Sequence, residues 1–96
     1  MAKVMLVSRD GQRRVSEKKF WEQFRKAAAR MRKRQRVTQK EMAVCCDYND
    51  KQSVSNVENG RQRPDAWRAL LMASRLGGDM LVMAGVETGK GEEPKR

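Results

Sequence analysis

The chain has 96 residues, 22 Lys and Arg against 12 Asp and Glu, and no histidine, for a net charge of +10. That length implies one domain with a modest core, and the charge favours a polyanionic partner: nucleic acid first, an anionic membrane surface second. No apolar run approaches the roughly 20 residues of a bilayer span. With no His and no Cys-x-x-Cys, a structural zinc site lacks ligands.

The opening "MAKVMLVSRDG" has one Lys and a short apolar run, Val4 to Val7, too short for the apolar core of a signal peptide. A cytoplasmic protein is therefore expected. Residues 1–15 read as an N-terminal extension, with a strand at about 3–8. Asp10-Gly11 is a hairpin-turn signal, and 12–15 is the weaker return strand. Such a hairpin is marginal alone, so it must pack on the rest or pair with a second copy.

Residues 16–84 read as a helical domain of five helices. Ser16 caps a helix running to about 34, with Phe20, Trp21, Phe24, Ala27, Ala28 and Met31 on its apolar stripe. Its other faces are basic, and the cluster "RKAAARMRKRQR" leaves residues 1–50 more positive than residues 51–96. Thr38 caps a short helix, "QKEMAVCC", with Met42, Ala43 and Cys46 inward. Cys45 and Cys46 are adjacent, a spacing that disfavours an unstrained disulfide. They read as thiols in a reducing compartment, with redox sensing as the lesser alternative. "DYND" is a turn, and Asp50 or Asn49 caps the next helix, residues 51–58, which Asn59-Gly60 ends. Pro64-Asp65 opens "AWRALLMASRL", stopped by Gly77-Gly78, and Asp79 caps a last short helix, "MLVMA". Residues 85–96, Gly-rich and polar, are expected to be a disordered tail.

Two short helices joined by a turn, the second with a polar outer face, form a helix-turn-helix pattern. "TQKEMA" (Thr38 to Ala43) followed by "SVSNVENGRQRP" (Ser53 to Pro64) resembles the lambda-repressor-like, Cro-type or XRE family of DNA-binding domains. The shared features are a Thr-Gln opening, an apolar-Ala pair, a Ser-bearing helix, Glu-Asn-Gly, and a Pro before the fourth helix. The resemblance covers about residues 28–83. It implies a mainly α fold: a five-helix lambda-repressor-like helix-turn-helix domain, here with a short N-terminal strand or hairpin extension. One departure stands out. The family's Gly-Val-Ser turn is replaced by "CDYND", one residue longer and without glycine.

A helix fits the major groove of B-DNA, where Gln and Asn pair with adenine and Lys with guanine. Val54 and Val57, three apart, would anchor the 51–58 helix. Lys51, Gln52, Ser55 and Asn56 then project outward, with Gln52 and Asn56 as the main candidate base readers. The alternative is an ordinary solvated face. The candidate phosphate contacts are Thr38, Gln39, Ser53, Asn59, Arg61 and Arg63. Thr38 is first of all a cap, and Arg61 and Arg63 read equally as a solvated basic loop. In the family the Gln matching Gln39 bonds a phosphate and supports the recognition helix. The resemblance also implies a structural ion pair between Arg32 and Glu58.

Trp67, Leu71, Met80, Val4 and Leu6 add apolar surface. They serve either a larger monomeric core or a homodimer interface. Family dimers present two such helices about 34–36 Å apart.

The function expected is a sequence-specific regulator of double-stranded DNA, a repressor acting as a homodimer on a short palindromic operator. The alternative is an antitoxin-like or adaptor module that binds a protein partner with the same fold. RNA binding is disfavoured because all five aromatics have packing roles. No nucleophile–base constellation or phosphate loop suggests an enzyme, and no cofactor is expected.

Overall fold

The computed structural model describes residues 4–9 and 13–90. Those residues form β1 (Val4–Ser8), α1 (Glu17–Arg34), α2 (Gln39–Cys45), α3 (Lys51–Glu58), α4 (Ala66–Leu76), α5 (Met80–Met83) and β2 (Val86–Lys90). The protein is mainly helical, with one two-stranded antiparallel sheet joining its two ends.

Each helix begins where a small polar side chain can replace a missing helical acceptor. Ser16 Oγ accepts from the Lys19 N–H at 3.2 Å. Asp50 and Asp65 accept from Ser53 and Arg68 at 3.2 and 2.8 Å. Thr38 and Glu41 form a reciprocal capping box. Its backbone bonds hold the Glu41 carboxyl below its ordinary range. Asp79 accepts from both Leu81 and Val82 and starts the four-residue α5.

The helices end by a common device, a left-handed residue that lets the next N–H reach back six residues. Gly60 takes this position after α3, and Arg61 N–H bonds the Asn56 carbonyl at 2.8 Å. After α1 and α2 the left-handed residues are Arg36 and Asp47, with φ of 60° and 61°. Val37 then bonds Arg32, and Tyr48 bonds Ala43, both at 3.0 Å.

The core gathers Phe20, Phe24 and Ala28 of α1, Met42 of α2, Val54 and Val57 of α3, and Met72 and Leu76 of α4. Phe20 and Phe24 stack, with Trp21 edge-on to both. Leu70, expected on the core face of α4, is instead 49% exposed. The inward stripe is Ala69, Met72, Ala73 and Leu76, whose i, i+3, i+4, i+7 spacing keeps one face. Leu70 lies one position off it. Cys46 is fully buried, and burial pushes its thiol up to about 11, whereas Cys45 is exposed.

The ends of the chain correct two expectations. The segment from residue 85, read as a disordered tail, begins with β2, which runs antiparallel to β1 from Val4↔Lys90 to Ser8↔Val86. Val86 is 1% exposed, so this strand is held by the core. Residues 91–96 lie outside the described residues, as does the expected Asp10-Gly11 turn. The return segment pairs with β1 only through the Val7↔Arg14 bridge and the bonds Ser8 N–H to Arg13 O and Val15 N–H to Leu6 O. The main partner of β1 is therefore β2, about 80 positions away.

Candidate nucleic-acid interface

The orientation of α3 rests on what its inner face is bound to. Val54 and Val57 are fully buried, one on each turn. At its end, Glu58 takes two bonds from Arg32, Nε to Oε2 at 2.6 Å and Nη2 to Oε1 at 3.1 Å. The Gln39 amide donates a third, to Oε1 at 3.1 Å. The remaining Arg32 nitrogen, Nη1, donates to the Val37 carbonyl at 2.8 Å. Both side chains of the pair are about a tenth exposed or less. A buried carboxylate and guanidinium are tolerable only when so fully bonded. This network ties α1, the start of α2 and the end of α3 into one unit.

Two further arginines complete the hold, and the sequence reading did not single them out for it. Arg25 Nη1 donates to the Glu58 carbonyl at 3.0 Å. It passes so close to Gly60 that a Cβ there would sit 3.0 Å from Arg25 Nε. Arg68 of α4 donates through Nε and Nη2 to the Asp47 carbonyl, at 3.2 and 2.9 Å. Its Nη1 binds Asp65, and its guanidinium lies over the Tyr48 ring at 5.0 Å. The five-residue connection between α2 and α3 therefore has a specific support. Asp47 takes the left-handed place usually given to glycine, Tyr48 packs against the core, and Arg68 holds the exposed carbonyl.

On the outer face, Lys51 and Gln52 are exposed, and Ser55 and Asn56 half-buried. Gln52 Nε2 donates to Asn56 Oδ1 at 3.1 Å. That leaves the Gln52 carbonyl as an acceptor and the Asn56 amide as a donor on the same face. Asn59 Nδ2 donates to Ser55 Oγ at 3.3 Å. Ser53 is half-buried and engaged: its N–H and hydroxyl both meet the Asp50 carboxylate, at 3.2 and 3.4 Å. The start of α3 thus presents a carboxylate where Ser53 was expected to meet a phosphate.

The candidate phosphate contacts divide. Thr38 is committed to its capping box, and the Gln39 amide to Glu58. Around them, Arg32, Thr38, Gln39, Lys40 and Lys51 line an open cleft of about 580 Å³ between the starts of α2 and α3. Lys40, not picked out from the sequence, adds a cation there. Asn59 and Arg61 are exposed just past α3. Arg63 turns toward α1: its Nη1 meets Glu17 at 2.5 Å, and its guanidinium is 6.0 Å from the Trp21 ring centroid.

The candidate interface residues also divide. Val4 and Trp67 are exposed, at 74% and 57%, whereas Leu6, Leu71 and Met80 are half-buried against the core. Trp67 leans on the α2–α3 connection, with Nε1 3.5 Å from Asp47 Oδ2. Among the described residues no helix is long and apolar enough to cross a membrane. No protein-family model, curated protein or solved structure matches this chain.

Proposed function

We propose that this chain is a lambda-repressor-like helix-turn-helix protein that binds double-stranded DNA sequence-specifically and represses transcription. α2 and α3 form the motif, and α3 enters the major groove. The observation that carries this reading is the division of α3. One side is locked by Val54, Val57 and the Arg32–Glu58–Gln39 network, and the other presents Lys51, Gln52, Ser55 and Asn56 to solvent. A polar, aimed helix face beside Lys40 and Arg61 suits base reading flanked by phosphate contacts. The acceptor of Gln52 and donor of Asn56 are the complement of adenine N6 and N7. The protein acts as a homodimer on a two-fold operator.

Selection from random duplexes tests this. It should recover a two-fold motif with half-sites about 10 bp apart. Gln52→Ala and Asn56→Ala should each relax base preference by about 1–3 kcal/mol, and Arg61→Ala should weaken all sequences alike. An unchanged preferred sequence in both α3 variants would refute the assignment.

A protein-interaction module, antitoxin-like or adaptor, is the second reading. It is favoured by Trp67 and Leu70, which expose apolar surface three residues apart on α4. A Trp67→Ala/Leu70→Ala protein that keeps full duplex affinity but loses a protein partner would select it.

A further inference from the structure

A second cleft lies away from the outer face of α3, between α1 and the connection from α3 to α4. It encloses about 340 Å³, within the range of small-ligand sites. Lys18, Trp21, Glu22 and Arg25 line one side at i, i+3, i+4 and i+7, a single face of α1. Gly60 and Arg63 lie opposite. Three of these six are cations. The one acid, Glu22, is already neutralised by Lys19 at 3.7 Å and Lys26 at 3.5 Å, which hold its carboxyl below the ordinary range. Arg63 is shared with the exposed Glu17.

We propose that this cleft is a separate anion site that takes a phosphate group. The observations are its charge, its aromatic wall and the fixed position of one cation. Arg25 is held by its bond to the Glu58 carbonyl, which engages Nη1 alone. Its Nε and Nη2 lie beside Gly60, where the absence of a side chain leaves the cleft open. Lys18 is exposed and has no side-chain partner among the described residues. A phosphate between Lys18, Arg25 and Arg63 gains charge-assisted bonds and draws Arg63 from Glu17. Trp21 is the wall against which an attached sugar or base rests. Because Arg25 grips the last carbonyl of α3, occupancy of this cleft is coupled to the end of that helix. The proposal rests on the cleft itself and does not require that α3 read bases.

The phosphate has two sources, a free nucleotide or the backbone of a duplex, and one experiment separates them. In a Trp67→Phe background, Trp21 is the sole tryptophan and reports on the cleft. Its emission is followed while titrating inorganic phosphate, a nucleoside monophosphate, and duplexes of increasing length. The expected result is a saturable change that Lys18→Gln weakens about two- to fivefold, the range of an exposed ion pair. A response to the nucleoside monophosphate assigns a free nucleotide. A response only to duplexes beyond a threshold length assigns the DNA backbone. Arg63→Gln should weaken the response to a similar degree, and it leaves the core untouched should Lys18→Gln fold poorly. No emission change with any probe overturns the proposal, as does a change that neither substitution affects. If duplex selection shows no base preference while Trp21 still responds to phosphate, the α3 reading fails and the cleft stands.

Discussion

Two ion pairs tie α1 to the region around α3, and they are built in opposite ways. Arg32–Glu58 is buried and two-pronged, and its remaining donors and acceptors are bonded to Gln39 and Val37. Arg63–Glu17 is a single contact between side chains 55% and 70% exposed. Both join residues far apart in the chain, but they hold different things. Removing one partner of the first strands a charge in a low-dielectric site. The second is screened by water and salt, so Arg63 can leave Glu17 for a stronger anion at little cost. Burial thus separates an arginine that sets the aim of α3 from one available to a polyanion.

The sharpest way to break this contrast is Glu58→Ala, expected to destabilise the protein by about 3–5 kcal/mol in denaturant unfolding. A loss below about 1 kcal/mol would mean that Arg32 reaches solvent and the two pairs are alike. Arg68 sits between the extremes, with its side chain 34% exposed and bonded to both Asp47 and Asp65. Arg68→Ala should cost about 1–2 kcal/mol. It should also reduce duplex affinity, because the α2–α3 connection loses its support. Unchanged amide exchange at Tyr48 and Asn49 in that variant would remove Arg68 from this role. Glu17→Ala should change stability by less than about 1 kcal/mol, and the change should disappear in about 1 M salt, where the Debye length is near 3 Å. The smallest effect concerns pH. Glu41 is fully exposed, and its carboxyl is held low by Thr38. Its stabilising contribution is therefore present above the unfolded carboxylate pKa and lost as pH falls through the lower folded value. Wild-type and Glu41→Gln unfolding curves should differ at neutral pH and converge in acid; a constant gap would show that ionisation of Glu41 does not matter.

Helix boundaries were legible because capping is local. Ser16, Thr38, Asp50, Asp65 and Asp79 each stand just ahead of an apolar repeat, and each accepts from the first turn that follows. The polar face of α3 was legible for the same reason, since Val54 and Val57 mark its opposite side. The α2–α3 connection was harder. An Asp in left-handed backbone carries no signal as strong as glycine, and its stabilising Arg68 comes 21 positions later. Arg36 hides the end of α1 in the same way, while Gln35 bonds the Leu76 carbonyl from 41 positions away. The polar composition of residues 85–96 concealed β2, because only Val86 carries an apolar signal and its burial depends on the helices beneath it.

By itself the sequence determined five helices, their caps, the basic charge and the sidedness of α3. These follow from interactions within about four residues, where side-chain identity decides the outcome. Tertiary structure alone decided which strand pairs with β1, how α3 is aimed, and which arginines are buried. A strand edge accepts many partners, and an arginine is equally at home in water or on a carboxylate. Only packing against the common core removes the alternatives, by excluding water from Arg32 and Glu58 and leaving it around Arg63 and Glu17.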